Sequence, residues 1–527
     1  RAAAIAGITA KDLARHVEIL ASDAYLGRFP GGAGEARTLA YLASTFARLG
    51  VPPAAADGYL QPVPLSSQRV DPATSIAARG PRGELRLAFG VDALLGAPGS
   101  TPTVAVDTRA LVFVGYGIVA PEHGWDDYAG VDVRGKAVLV LSGDPGPTRD
   151  DPRFFKGRAL THHGTYLAKV ERARERGAAA ILSIHDEATN GLPWARIAEN
   201  GRLPRMQLRR DEAEGGRPLT GAIPLERARA LLRLADADLD ALRGAAAQGG
   251  FRAQDLPLAL HFDLRRSADE VDSHNVVALL RGRERPDEYV VYTAHWDHVG
   301  VAPPGEGRGD DRIFNGAVDN APGTAALLEL AEAFAALPEP PRRSVVFLAT
   351  TAEEQGLLGA HHFVEHPLFP LARTIAVLNM DALFPFGATK GMTVVGLGAS
   401  ELEETMAEAA AAVGRRLYPD PAPELGAFFR SDHYPFAARG VPAIFAVGGP
   451  AQDPGAGETV DLARYVDYVQ NHYHQVSDEY DPAAWDLAGI VQDVEVYFRT
   501  GLAIADSDQR PNWYEGHEFR ALRDAMR

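Results

Sequence analysis

Side chains of the kinds that bind metal ions stand at the ends of three apolar segments of this chain. Tyr289–Ala294 is followed by His295 and Asp297, Ser344–Thr350 by Glu353 and Glu354, and Thr374–Met380 by Asp381. Segments so apolar and so rich in β-branched residues are typical of buried strands in a parallel sheet. Ligands of open α/β sheets bind beyond the carboxyl ends of the strands, so we expect these side chains to converge on one crevice. The pattern therefore predicts a metal site at that edge of the sheet.

The residues around His295 and Asp319 fit a metal site but also have ordinary structural explanations. His295 can bind a metal while Asp297, two residues further along an extended segment, orients its imidazole ring. Asp319 precedes a predicted helix start at which Asn320 suits the cap and Pro322 the first turn. Asp319 could bridge two metals, with the helix N-terminus favouring its charge, but a simple capping aspartate is about as common.

Two adjacent carboxylates, Glu353 and Glu354, follow the second predicted strand. Burying such a pair is costly unless a metal or protons compensate, so one can ligate a metal while the other takes a proton from water. Taken alone, Asp381 is more often a turn residue, and His474 and Asp478 by default lie in a solvated loop. Motifs of this kind do not easily arise together at strand ends and helix starts, so jointly they favour the metal site.

The composition restricts both the function classes and the metal ligands. A chain of 527 residues is expected to form at least two domains, and 46% apolar and 23% charged residues are ordinary for a globular protein. The formal charge of −17 argues against nucleic acid as a partner. No apolar run reaches the roughly 18 residues of a membrane span. The chain has no cysteine, so a metal must sit on histidine, aspartate and glutamate.

A middle block of the chain has strand and helix patterns of its own. Strands are predicted at Ala110–Val114, Ala137–Leu141 and Ala178–Ile184, with a helix at Tyr166–Arg176. The block reads as a separate small domain over residues 104–255. Residues 1–103 and 256–527 are then the N-terminal and main parts of a catalytic domain.

The order of the motifs resembles that of peptidase family M28, which includes secreted bacterial double-zinc aminopeptidases. The resemblance is carried by Thr293–His298, Asn315–Gly323, Ala352–Gly356, Asn379–Asp381, Arg430–Phe436 and Tyr473–Gln475. Leu20–Asp23 and Gly27–Arg28 are similar to the entry segment of longer family members. The middle block looks like a protease-associated domain, a likeness carried by Gly115–Gly117 and Trp125–Tyr128.

The resemblance implies an α/β fold with a mixed, largely parallel sheet flanked by helices, and a smaller inserted protease-associated domain. It also implies two zinc ions per chain. Carried over by motif, the resemblance implies that His295 and Asp381 bind one zinc, that Glu354 and His474 bind a second zinc, and that Asp319 bridges the two. It implies that Asp297 orients His295 and that Glu353 is the general base. It also implies that Tyr473 stabilises the oxyanion and that Arg430 shapes the substrate end of the pocket.

The activity that the resemblance implies is zinc-dependent removal of N-terminal residues from peptides. A carboxypeptidase or dipeptidase is the alternative on the same scaffold, but apart from Arg430 no arginine cluster stands near the motifs to bind a C-terminal carboxylate. A glutaminyl cyclotransferase with one zinc, and a non-catalytic relative that has lost ligands, are further alternatives; here every ligand position is filled. The start at Arg1 suggests processing or trimming, and we expect a periplasmic or extracellular protein. No oligomeric state is predicted.

Overall fold

The protein divides into two compact units. The computed structural model describes residues 1–55, 57–149, 151–209, 217–303, 310–452 and 462–526. Unit 1 comprises Arg1–Pro64, Val271–Pro421 and Arg430–Arg527, and unit 2 comprises Leu65–Glu270 and Ala422–Phe429. Unit 2 thus starts before and ends after the block that the sequence delimits at 104–255. The reason is that strands before the block pair with one another and with the strand that follows the block, and these pairs belong to unit 2. Its interpretation as a protease-associated domain stays a prediction.

The helices and strands follow one another along the chain in three groups. Unit 1 opens with helices α1 (Ala2–Ala6), α2 (Ala10–Leu20) and α3 (Ala33–Arg48), and strand β1 (Leu60–Val70) has residues in both units. The strands of unit 2 are β2 (Ser75–Gly80), β3 (Gly83–Ala88), β4 (Leu94–Gly96), β5 (Thr103–Thr108), β6 (Leu111–Phe113), β7 (Val119–Ala120), β8 (Trp125–Asp126), β9 (Ala137–Leu141), β10 (Ala180–His185), β11 (Arg205–Leu208), β12 (Leu219–Pro224) and β13 (Gln254–Leu256). Its helices are α4 (Tyr166–Glu175), α5 (Glu187–Asn190), α6 (Trp194–Arg202), α7 (Leu225–Arg233) and α8 (Leu239–Ala246).

The third group begins with strand β14 (Ala259–Leu280), which again has residues in both units. The remaining strands of unit 1 are β15 (Arg285–His295), β16 (Gly300–Val301), β17 (Ile313–Phe314), β18 (Arg343–Thr350), β19 (Thr374–Asn379), β20 (Gly391–Val395), β21 (Arg416–Pro419) and β22 (Ala443–Gly449). Its helices are α9 (Ala321–Ala335), α10 (Leu358–Glu365), α11 (Leu402–Ala412), α12 (His433–Ala437), α13 (Leu462–Asp467), α14 (Ala488–Ala505) and α15 (Arg520–Ala525).

A mixed sheet with the order β14–β18–β15–β19–β22–β20–β21 forms the centre of unit 1. Strand β15 pairs in parallel with β18 and β19, and β19 pairs in parallel with β22, whereas β14 and β20 run antiparallel to their neighbours β18 and β22. All eight residues of β18 are buried, as the continuous apolar pattern predicts for a strand covered on both faces. The expected α/β class with a mixed, largely parallel sheet is confirmed.

Helix packing explains why these strands are so apolar. Helix α9 contacts β15 and β18 and also packs against α2 and α14. It is buried on nearly every side, as its continuously apolar sequence requires. Because the sheet and these helices share one core, the carboxyl ends of β15, β18 and β19 are held on a rigid frame.

Unit 2 has a separate core and its own six-stranded sheet. The strand order is β13–β6–β9–β10–β12–β4, with β6, β9, β10 and β12 parallel to one another. The strand predicted at Ala137–Leu141 is β9, and the helix predicted from Tyr166 is α4. Within the described part of the chain, no helix combines the length and the apolar character that crossing a bilayer requires.

Candidate metal centre

The carboxyl ends of three neighbouring strands place the predicted ligands side by side. His295 is the last residue of β15 and is paired with Thr350, the last residue of β18, while Thr293 is paired with Asn379 at the end of β19. The side chains that follow these ends are buried or nearly so. The side chains that the sequence predicted to converge therefore lie close together in unit 1.

One cluster forms around the imidazole of His295. Its Nε2 atom lies 3.2 Å from an oxygen of Asp319 and 3.2 Å from an oxygen of Asp381. The His295 side chain is 1% exposed and that of Asp381 14% exposed, so the cluster is almost closed to water. One nitrogen and two carboxylate oxygens converging at this distance form a group that could hold a metal ion.

A second cluster forms around His474, with Asp319 as a member of both. The Nε2 atom of His474 lies 3.0 Å from Asp319 Oδ2 and 2.9 Å from Glu354 Oε2. The other oxygen of Asp319 faces His295. The two oxygens of this one carboxylate therefore point into different clusters. The His474 side chain is 30% exposed, so the crevice opens on this side.

His298 is a site residue to which the sequence interpretation gave no role. Its Nδ1 atom lies 2.7 Å from Glu354 Oε1, and its ring meets that of His474 edge-on with centroids 5.6 Å apart. With Asp319 and Glu354 it forms another group that could hold a metal. Its Nε2 atom is buried and makes no hydrogen bond within the described residues. The sequence signals were its place in the stretch Thr293–His298 and its position three residues after His295, and neither indicates a role for the side chain.

The carboxylate of Asp297 supports the loop after β18 more directly than it supports His295. It accepts the backbone N–H groups of Glu353 at 3.0 Å and Glu354 at 3.4 Å. Its own oxygen lies 3.8 Å from His295 Nδ1, whereas its backbone carbonyl lies 3.2 Å from that nitrogen. Burial raises the pKa of Asp297 to about 8, against the opposing effect of His295. The predicted orienting contact is thus made through the main chain.

Two further polar residues contact the segments that carry Asp381 and Asp319. Ser431 donates its hydroxyl to Asp381 at 2.6 Å and accepts the side-chain amide of Asn379 at 2.7 Å. Asp478 accepts the backbone N–H groups of Val318 at 3.0 Å and Asp319 at 3.2 Å. The sequence interpretation placed Asp478 in a solvated loop by default, but the residue is 2% exposed. Its carboxylate is buried because it accepts hydrogen bonds from the backbone of the loop before α9.

The adjacent carboxylates Glu353 and Glu354 have opposite electrostatic surroundings. Burial raises the pKa of Glu353 well above its usual value, and Asp381 and Glu354 raise it further while His295 opposes them. The pKa of Glu354 falls to about 2, since His474 and His298 outweigh the effects of burial and of Asp319. Glu353 therefore binds a proton more readily than Glu354 does, which favours different chemical roles for the two carboxylates.

The two remaining predicted residues lie differently in the structure. The Tyr473 ring stacks on that of His474 with centroids 3.8 Å apart. Although 43% of the residue is exposed, desolvation of the phenol and nearby carboxylates such as Asp319 raise its pKa well above 10. Arg430 is exposed and directly precedes the buried Ser431. The structure records no contact of its guanidinium with the ligand clusters, so its role stays a prediction.

Comparison with known proteins places the centre in a family. The sequence model of peptidase family M28 matches residues 275–498, which contain both clusters. Over 114 residues, 21% of this chain and 13% of the relative, the sequence is 37% identical to the mouse aminopeptidase NAALADL1. Over 112 residues, 20% of this chain and 14% of the relative, it is 34% identical to the probable glutamate carboxypeptidase AMP1 of Arabidopsis thaliana. The matches thus span well under two thirds of these relatives.

The fold as a whole also has a solved counterpart. The structure aligns with an aminopeptidase from Aneurinibacillus sp. strain AM-1 at a TM-score of 0.51 and 17% identity, covering 95% of each chain. At that identity the likeness shows a shared fold and nothing finer. The family match, the order of the motifs and the convergence of their side chains agree, and the resemblance found in the sequence is confirmed: residues 275–498 of this chain match peptidase family M28.

Proposed function

We propose that this protein is a zinc-dependent exopeptidase that removes N-terminal residues from peptides. The observation that carries the proposal is the placement of Asp319, whose two oxygens face His295 on one side and His474 on the other. A carboxylate shared in this way is the arrangement that a two-metal hydrolytic centre needs.

The donor atoms present fit zinc. His295, Asp381 and Asp319 would hold one ion, and Asp319, Glu354 and His474 the other. Imidazole nitrogen and carboxylate oxygen are zinc ligands, and the same set would also accept cobalt or manganese. When bound, the metal ions would polarise the scissile carbonyl and make a water more acidic.

Glu353 is placed to move the protons of the reaction. Its Oε2 atom lies 4.0 Å from His295 Nε2, farther than the carboxylates that face this nitrogen at 3.2 Å. Its raised pKa suits a group that accepts a proton from the attacking water and later donates it to the leaving amine. Glu353 is therefore the general base and then the general acid.

Tyr473 is the residue that would stabilise the oxyanion. A phenol is protonated at neutral pH, and the raised pKa of Tyr473 keeps it so at higher pH, so it can donate a hydrogen bond to developing negative charge. It lies on the open side of the crevice beside His474. Arg430, which is exposed, would shape the substrate end of the pocket.

The two arginines considered for the site are not placed to bind a C-terminal carboxylate. The buried guanidinium of Arg28 donates to backbone carbonyl oxygens, and Arg430 is exposed, with no recorded contact to either cluster. A carboxypeptidase would need such a guanidinium to pair with the terminal carboxylate of its substrate. This supports an aminopeptidase over the carboxypeptidase alternative. Export of the protein and a protease-associated role for unit 2 stay predictions.

The decisive experiment is digestion of matched peptides, one set free and one N-acetylated, followed by mass spectrometry. We expect stepwise loss of N-terminal residues from the free set alone, abolished by a chelator and restored by zinc. Loss from the C-terminus of both sets would establish a carboxypeptidase. Cyclised N-terminal glutamine without shortening would establish the cyclotransferase, and an inert protein that still binds metal would contradict catalysis.

A further inference from the structure

Arg28 is a buried cation that links the segments on which the metal ligands stand. Its side chain is fully enclosed at 1% exposure. Its Nε donates to the carbonyl of Trp296 at 2.9 Å, one Nη donates to Asn315 at 2.6 Å, and the other donates to Gly316 at 2.9 Å. The guanidinium also donates to Leu20 at the end of α2. Only arginine offers five N–H donors in one plane, so a single side chain can connect four carbonyls.

The linked carbonyls lie beside the ligand residues in sequence. Trp296 stands between His295 and Asp297, and Gly316 lies three residues before Asp319. Arg28 therefore fixes the distance between the loop that carries His295 and the loop that carries Asp319. These two side chains must meet at 3.2 Å in the first cluster.

The backbone around Arg28 is strained in a way that serves this contact. Leu26, Gly27 and Arg28 have φ values of 48°, 62° and 49°, in the left-handed region that side chains other than glycine rarely adopt. A Cβ atom at Gly27 would overlap the carbonyl oxygens of Gly300 and Phe314. Non-glycine residues persist in such conformations only where the surrounding structure enforces them, commonly at functional sites.

Arg28 also brings positive charge close to the ligand carboxylates. Burial lowers its pKa to about 10, while Asp478, Asp319, Asp297 and Glu354 act to raise it, so it remains charged at neutral pH. A fixed cation at this position offsets part of the repulsion among carboxylates that must lie close together before a metal binds.

We propose that Arg28 is a positioning residue of the metal centre, setting the spacing between the His295 and Asp319 loops. The inference rests on the proposed two-metal function but concerns metal affinity instead of turnover. A merely structural role would be different: loss of Arg28 would lower the stability of the fold and leave the metal affinity of the folded protein unchanged.

The test compares Arg28→Lys with a matched control, Arg343→Lys. Arg343 is equally buried in unit 1, and it donates to the Ile504 carbonyl at 2.6 Å and to Glu288 at 2.7 Å. Arg343 and Glu288 lie near the starts of β18 and β15, whereas the candidate metal ligands lie at the carboxyl ends of these strands. For each protein, zinc dissociation constants are measured by competition with a chromogenic chelator, and the unfolding temperature is measured without metal. Changes in residues that orient metal ligands typically weaken binding about 10–100-fold, and we expect this for Arg28→Lys.

The control separates positioning from stability. We expect Arg343→Lys to lower the unfolding temperature without changing zinc affinity. Gly27→Ala is a second variant, since it keeps Arg28 but forces its backbone away from Gly300 and Phe314, and it should also weaken zinc binding. Wild-type zinc affinity in folded Arg28→Lys, or an equal loss in Arg343→Lys, would overturn the inference. Failure of the wild-type protein to bind zinc would instead overturn the proposed function.

Discussion

At the residue scale, the chemistry of the site follows from the different surroundings of similar groups. Glu353 and Glu354 are neighbours in sequence, yet of these two carboxylates it is Glu354 that lies against His298 and His474. Asp319 faces two histidines, whereas Asp381 faces His295 and accepts a hydroxyl from Ser431. Each carboxylate can therefore be tested separately by substitutions that remove its charge and keep its shape.

We expect Glu353→Gln to bind zinc as the wild type does and to lose about 10²–10⁴ in turnover, the range of a general base. The amide cannot accept a proton from water. The matched variant Glu354→Gln should instead weaken zinc binding, because Glu354 faces His474 and is a proposed ligand. Metal analysis and peptide hydrolysis of both proteins distinguish these roles. Near-normal turnover in Glu353→Gln would remove this residue from the mechanism.

Asp319→Asn should weaken the binding of both metal ions, because one oxygen of Asp319 faces each cluster. Asp381→Asn is the control, since Asp381 contacts only the His295 cluster and its loss should affect one ion more than the other. Calorimetric zinc titration measures the two binding events. A single weakened event in Asp319→Asn would show that Asp319 does not bridge the ions.

The titration of His474 predicts opposite effects of pH on stability and on zinc binding. Burial opposes its charge, but Glu354 and Asp319 raise its pKa to about 10. Because the pKa of His474 is higher in the folded protein than its ordinary value of 6.5, protonation of this imidazole stabilises the folded metal-free protein. The stabilisation is complete below about pH 6.5 and is lost as the pH rises through about 10. The unfolding free energies of wild type and His474→Gln, both metal-free, should therefore converge between pH 7 and pH 10, as measured by urea denaturation.

Zinc binding should respond to pH in the other direction. A metal ligand must be neutral imidazole, so zinc displaces the His474 proton and its affinity should rise with pH over the same range. Titrations in two buffers of different ionisation enthalpy measure the protons released. Zinc affinity independent of pH would show that His474 is not a ligand.

At the element scale, three parallel strands and one helix start determine the site. Strands β15, β18 and β19 could be predicted from the sequence because local apolar pattern and burial agree there. The cap of α9 was also predictable: Asn320 accepts the N–H of Gly323 at 3.0 Å. Its side-chain amide also donates to the Met380 carbonyl at 3.0 Å and so links the Asp319 loop to the end of β19. This second contact could not be predicted from the sequence, because its partner lies 60 residues away.

Replacement of this cap should therefore affect metal binding as well as stability. Asn320→Ala removes the bonds to Gly323 and Met380, and caps of this kind are worth about 1 kcal/mol. Thr9→Ala removes an ordinary cap, that of α2, where Thr9 accepts the N–H of Asp12. Both should lower the unfolding free energy, but only Asn320→Ala should weaken zinc binding. Equal zinc affinity in the two variants would mean that the cap does not position Asp319.

The site residues that escaped sequence interpretation share one property. Ser431, Asp478 and Arg28 act on partners that lie 50, about 160 and up to 288 residues away in the chain. A pattern read within a window of neighbouring residues cannot reveal such contacts. His298 is missed for another reason, since a histidine near a ligand motif can equally be an ordinary core residue.

At the scale of the whole molecule, the two units have separate cores, and both clusters of candidate ligands belong to unit 1. Anything that binds only the native state stabilises it, so metal removal should increase hydrogen exchange in the loops after β15, β18 and β19. Strands β9 and β10 of unit 2 should exchange at the same rate with and without chelator. Loss of protection in those strands would show that the metal centre also stabilises unit 2.

The central claim is that five side chains, namely His295, Asp319, Glu354, Asp381 and His474, hold two metal ions that serve N-terminal cleavage. The most direct test is to titrate the metal-free protein with zinc while following residue release from a free peptide and its N-acetylated twin. We predict that release from the free peptide alone reaches its maximum at two zinc equivalents per chain. Full activity at one equivalent, or equal cleavage of the acetylated peptide, would contradict the account.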